Sequence, residues 1–195
     1  MMYFVTYILG KSGLFTVFLA TYSVGNILGC LLTKPLTDRY CKVSVFAWTN
    51  TALAILSAVM FFTPVGSGAP MFVLIFVIGV LHQMITPIQW VMMSDTVDFG
   101  EVKFGKRLTG VSFAGTLFVL KLGLALSGAV IGWTLAAAGY VSGGATESPS
   151  AMRCIVALFT LLPGACYALS ALLSRSYRLR RREMGEIAAA LNAGT

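Results

Sequence analysis

The sequence predicts an all-α fold, a polytopic bundle of membrane helices, and three observations predict it. Hydrophobic residues make up 57% of the 195 residues and charged residues only 11%, against about 25% charged in soluble domains. Mean hydropathy is +0.85. Five apolar runs, at about 14–32, 43–63, 71–93, 109–138 and 151–173, reach the roughly 20 residues that carry an α-helix across a hydrocarbon core of about 30 Å. They are too long and too uniformly apolar for a transmembrane barrel, whose strands alternate apolar and polar residues in segments of about ten.

Residues 1–10 are apolar but too short to cross, and lack the basic start and cleavage site of a signal peptide. They read as the outer end of a helix that begins upstream. Lys34, Arg39 and Lys42 follow the first full span, Lys103, Lys106 and Arg107 the third, and Arg175, Arg178, Arg180, Arg181 and Arg182 the fifth. The alternate connections hold only Lys11 and Arg153 with Glu147, so the excess of basic residues on the inner side of a membrane places those three segments in the cytoplasm. The expected protein is a multi-pass protein of the bacterial inner membrane with a cytoplasmic C-terminus.

The outer connections, PVGSGAP and GYVSGGATESPS, have turn composition. Residues 1–174 are thus read as the bundle and 175–195 as a cytoplasmic basic tail, with a short surface helix over 183–191. The tail's charge, within a net +7, suits the anionic surface of a bilayer rather than nucleic acid. Cys30, Cys41, Cys154 and Cys166 show no metal-ligand spacing and read as small buried hydrophobes.

The fourth span contains one lysine, Lys121, about twelve residues from its start, roughly 18 Å at 1.5 Å per residue. A charge at that depth is disfavoured by about 2.5–3.5 kcal/mol or more on insertion scales, so it needs a partner. Gly110, Ala114, Ala125, Gly128 and Gly132 share its helix face. This makes a groove of small residues that suits either a site or close helix packing. None of the seven acids lies within a span. The counter-charge is therefore a carboxylate on another polypeptide segment, an anionic group on a substrate, or is avoided by deprotonation.

The third span carries His82, Thr86, Gln89 and Trp90 along one stripe. Pro87 frees the carbonyl of Gln83. Amide, imidazole and indole groups together suit a sugar, whose CH face stacks on an aromatic ring while polar groups bind its hydroxyls. The same groups also serve as hydrogen-bonding glue between helices. Tyr22, Asn26 and Asn50 are weaker candidates of the same kind. Nothing resembles an enzyme: His82 has no acid within its span, there is no H-E-x-x-H motif, and no nucleophile and base stand at helical spacing.

The run PIQWVMMSDTVDFGEVKFGKRLTGVSFAGTLFVLKLGLALSGAVIGWTLAAAGY resembles the glycoside-pentoside-hexuronide:cation symporters, the melibiose-permease-like branch of the major facilitator superfamily. The pattern D-T-V-D-F-G-E, a basic residue with glycine, and K-L-G in the next span carries the likeness across the third and fourth spans. KPLTDRYCK is similar to the superfamily's cytoplasmic loop motif, with Asp38 and Arg39 matching and Cys41 where glycine is usual.

The resemblance implies the end of helix seven and helices eight to twelve of a twelve-helix carrier whose halves rock around a midplane site. It implies a sugar substrate bound near Lys121, Trp90, Gln89, Thr86 and His82. Asp38, Arg39, Asp95, Asp98, Glu101, Lys103, Lys106 and Arg107 would form the cytoplasmic gate. No cofactor is implied beyond a coupling Na+ or H+, whose acids lie on the N-terminal half. The partners are that half or a second copy, and the lipid bilayer.

A helix-ten tryptophan of melibiose permeases aligns with Thr86, one turn before Trp90. This points to a monosaccharide or sulfoquinovose-like sugar. The alternative is a truncated, non-transporting membrane segment or interaction module.

Overall fold

The computed structural model describes residues 4–5, 12–63, 68–140, 149–177, 179 and 181–193. Lys11, Glu147, Arg178, Arg180 and most of the two outer connections lie outside the described residues. Among the described residues six α-helices follow in order: α1 (Phe15–Arg39), α2 (Lys42–Phe62), α3 (Gly68–Phe104), α4 (Thr109–Ala137), α5 (Pro149–Ser174) and α6 (Arg181–Ala193). The first five are long and apolar enough to cross a membrane, and the protein is an all-α, polytopic membrane bundle.

Two helices overrun their apolar stretches. Helix α1 continues through Pro35 to Arg39 rather than stopping near residue 32. Helix α3 runs unbroken through Pro87 for 37 residues. Asp95, Asp98 and Glu101 therefore stand on helix rather than on a loop, because hydrogen bonding continues after hydropathy falls. Glycine ends both α3 and α4. Gly105 has φ +66° and its N–H bonds the Glu101 carbonyl at 2.8 Å. After α4, Gly139 has φ +75° and donates to Ala136 at 3.1 Å, while Tyr140 donates to Leu135 at 3.0 Å. Those two bonds form a Schellman cap, which needs the left-handed residue that glycine supplies most easily.

Helix α1 lies chiefly on α3, and α2 on α5 and α3. The α1–α3 contact is a glycine seam. A Cβ at Gly25 would stand 2.5 Å from the Phe76 carbonyl oxygen, one at Gly79 2.6 Å from that of Tyr22, and one at Gly29 would collide with the Val80 carbonyl. Such backbone approach is how helices associate in lipid, where apolar side chains gain little by leaving the solvent. Around the seam pack Phe18, Met60, Met71, Ile75 and Ile155 in one cluster and Val45, Met84 and Ile88 in another.

Helix α4 stands apart. It touches α3 and α5 only lightly, and Leu135 is its sole buried residue. The groove of small residues expected around Lys121 meets no neighbour: a Cβ at Gly110, Gly128 or Gly132 would have open space around it. The close-packed G-x-x-x-G pair is Gly25–Gly29 instead. The cysteines are free, but Cys30 and Cys166 are exposed and Cys41 and Cys154 half-buried, so they are not the buried hydrophobes expected. A weakly polar thiol is tolerated against lipid as readily as inside protein.

Candidate functional site

The stripe on α3 divides between two environments. His82 faces inward, where its Nδ1 and the Tyr22 hydroxyl of α1 share a hydrogen bond of 2.9 Å. The Tyr167 ring of α5 meets the imidazole edge-on, with centroids 6.2 Å apart. Trp90 lies two turns further on and at the other edge of the stripe, stacked on Phe113 of α4 at 6.0 Å and 14°. The indole remains 36% exposed, Gln89 is exposed and Thr86 half-buried. Eight residues at 100° each bring a helix back to within about 80° of its starting direction, so the edges of one stripe serve different neighbours.

Of the weaker candidates, Asn50 is buried and donates to the Phe46 carbonyl at 2.8 Å, which makes it structural. Tyr22 is engaged by His82. Asn26 keeps a buried Oδ1 that has no hydrogen-bond partner among the described residues.

Lys121 is exposed on α4. It pairs with no acid among the described residues. The cation thus lies on the helix that its own chain covers least.

The charged ends of α1 and α3 are partly assembled. Arg107 bridges Glu101 at 2.8 Å and Asp98 at 3.3 Å. Lys103 is poised over the Phe99 and Phe104 rings, 5.4 Å from each centroid, rather than paired with a carboxylate. Asp95 is buried and takes its partner from α2, Lys42 at 2.6 Å. Sequence reasoning used Lys42 only for topology and missed this pair, because a contact between residues 53 positions apart leaves no periodic signal. Asp38, Arg39 and Lys106 are exposed and form no ion pair among the described residues.

Tyr177 was missed as well. Its hydroxyl donates to the Met92 carbonyl at 2.9 Å and lies 3.4 Å from the Thr96 hydroxyl, fastening the segment after α5 to α3. Burial, ahead of the nearby Asp95 charge, pushes its phenol above the ordinary value, while the Thr96 contact works in the opposite direction.

Residues 1–181 match the MFS/sugar transport protein family. The chain belongs to the glycoside-pentoside-hexuronide:cation symporters. It is 59% identical over 177 residues to the inner membrane symporter YicJ of Escherichia coli, an alignment that covers 91% of this chain and 38% of YicJ. An uncharacterized 29.9 kDa protein in the crtE 3'region of Pseudescherichia vulneris is 44% identical, covering 96% of this chain and 68% of that protein. The glucuronide carrier protein homolog of E. coli is 25% identical, covering 95% of this chain and 41% of the homolog. The chain therefore spans about two fifths of the E. coli relatives. It is a multi-pass inner membrane protein, and its family is one of transporters rather than enzymes. Within that family reading, α3 and α4 hold the quoted motif and present Trp90 and Lys121.

Proposed function

We propose that this chain forms the C-terminal half of a sodium- or proton-coupled sugar symporter working by alternating access. The observation that carries the reading is Lys121, an amine at span depth, without an acid among the described residues, on a helix left uncovered by its own chain. A cation so placed needs an answering charge. The part of a YicJ-like carrier beyond the 38% spanned here would supply it, with facing helices that close over α4 and acids that hold the coupling ion.

Trp90 offers a flat apolar face, and Gln89 and Thr86 offer hydrogen-bonding groups on the same helix. His82, tied to Tyr22, would hold α1 in place behind them. The network of Asp95, Asp98, Glu101, Lys42 and Arg107 would form a gate on the cytoplasmic side, with Asp38, Arg39, Lys103 and Lys106 available to pair across it. The exposed pairs of Arg107 with Asp98 and Glu101 contribute only about 0–1 kcal/mol each, which suits a contact that must open and close, whereas the buried Lys42–Asp95 pair is the firmer part of the network. The C-terminal tail lies in the cytoplasm on this reading.

An anionic monosaccharide, carboxylated or sulfonated, is the favoured cargo because it would itself answer Lys121. The glucuronide carrier protein homolog of E. coli, named for a carboxylated sugar, is in keeping with that choice. The test is uptake by the complete reading frame, with and without a sodium gradient, over labelled neutral, carboxylated and sulfonated hexoses. Lys121→Ala and Lys121→Cys should abolish uptake while leaving membrane insertion unchanged. Uptake at the wild-type rate by either variant overturns the assignment.

A further inference from the structure

The sugar path proposed above needs a flat ring held at a fixed angle, and the ring of Trp90 is held from another helix. Phe113 of α4 lies against the indole with centroids 6.0 Å apart and planes 14° from parallel, the offset stack that aromatic pairs favour. Among the described residues this is the ring contact of Trp90, and its indole N–H donates no hydrogen bond. The outer torsion of a tryptophan side chain is broad rather than confined to one staggered well. With no hydrogen bond to fix it, the plane of the indole is set by the ring it lies against.

The covered face decides the open one. A stacked neighbour occupies one side of the indole, yet the residue remains 36% exposed, and that exposure is available to a ligand. Phe113 is half-buried on a helix whose sole buried residue is Leu135 and which touches α3 only lightly. Lys121 follows eight residues later, about 12 Å along the axis and 80° round it. Helical Cα–Cβ bonds tilt toward the N-terminus, so the lysine leans back toward the end of α4 that carries Phe113. One helix thus bears both the amine and the ring that orients the indole of its neighbour. An apolar side chain without a flat ring would fill the same space but leave the indole free to turn its edge outward. The CH groups of a pyranose are drawn to the negative face of an aromatic ring and not to its positive edge.

We propose that Phe113 is a positioning residue for sugar binding. It holds one face of the Trp90 indole so that the opposite face stays parallel to the sugar ring, and it ties that face to the helix bearing Lys121. Phe113 acts through Trp90 and does not touch the sugar. This role rests on the sugar reading of Trp90.

Two measurements test it. In the purified 195-residue chain, Trp48→Phe with Trp133→Phe leaves Trp90 as the sole tryptophan of three. Phe113→Leu in that background should raise acrylamide quenching of Trp90 about twofold, because the second of two ring faces is uncovered, and should lower its fluorescence anisotropy. Phe113→Tyr keeps the flat ring and should leave both at the parent values. In the complete carrier, uptake of labelled glucose, glucuronate or sulfoquinovose is followed, whichever the wild type accumulates. Phe113→Leu should raise KM about three- to tenfold, the scale of one aromatic pair, with the maximal rate retained and Phe113→Tyr close to wild type. Phe62→Leu, which removes an edge-to-face contact with Phe61 at the C-terminal end of α2, should leave KM unchanged. Equal quenching and anisotropy in Phe113→Leu and Phe113→Tyr overturn the proposal, as does a wild-type KM for Phe113→Leu beside a raised KM for Trp90→Ala. A wild-type KM for Trp90→Ala overturns the sugar reading itself, and the positioning role with it. Should Phe113→Leu fail to insert, Phe113→Met, which keeps apolar bulk without a flat ring, takes its place in both assays.

Discussion

Gly29→Ala tests the packing argument most directly. Its added Cβ would collide with the Val80 carbonyl oxygen, with the Val80 carbonyl carbon at 2.9 Å and Cα at 3.1 Å. All three are backbone atoms, so no side-chain rotation relieves the clash and α1 must move away from α3. Overpacking of this kind costs about 1–3 kcal/mol, and separation also weakens dispersion contacts along the seam. Replacing glycine by alanine inside a helix returns roughly 0.5–1 kcal/mol. The net expectation is a loss of about 1–2 kcal/mol.

Thermal unfolding of the detergent-solubilised chain, followed by circular dichroism, should show a fall in Tm of about 2–4 °C per kcal/mol for a chain of this size. Gly128→Ala is the matched control. It makes the same chemical change on α4, where the new Cβ meets nothing within 4 Å, so Tm should stay level or rise slightly. A Gly29→Ala Tm equal to that of wild type, or a Gly128→Ala loss as large as that of Gly29→Ala, would refute the reasoning.

Three further outcomes follow from single contacts. Lys42→Ala leaves the buried Asp95 carboxylate without its 2.6 Å partner and should lower stability by about 2–4 kcal/mol; Lys42→Ala with Asp95→Asn should recover much of the loss in the same unfolding assay. Tyr177→Phe removes the donor to Met92 and should cost about 0.5–1.5 kcal/mol, with faster proteolysis after α5 as a second readout. Because the folded-state phenol is held above its ordinary value by burial, the Tyr177 contribution is fully present below about pH 10 and is lost as pH rises through the folded value. An alkaline unfolding series should therefore fall less steeply for Tyr177→Phe than for wild type. Gly139→Ala forces alanine to φ +75° and should destabilise the end of α4 by about 1 kcal/mol, seen as a lower Tm.

The five apolar helices were legible in the sequence because crossing a bilayer is a local requirement. Every residue of a span faces hydrocarbon or protein, so hydropathy alone announces it. The ends were less legible. Helices α1 and α3 run past their apolar stretches because backbone hydrogen bonding does not depend on side-chain polarity, and α3 carries its acids on helix as far as Glu101. The D-T-V-D-F-G-E stretch and Lys121 stood out for their chemistry, an acid-rich signature and a cation in the wrong solvent.

What the sequence by itself determined, then, was the number of spans, their apolar extents and the family. The tertiary structure alone decided which surfaces meet. Two G-x-x-x-G pairs lie within the apolar helices, and of these only Gly25–Gly29 is packed against backbone, while Gly128 and Gly132 stand in the open. His82 reads like Trp90 in the sequence, yet one is held between α1 and α5 and the other stacks on α4. Lys42 found Asp95 across 53 residues. In water, burial separates inner from outer faces and leaves a periodic trace. In lipid, an apolar face is equally at home against a neighbour or an acyl chain, so helix pairing is decided by backbone approach and a few polar contacts.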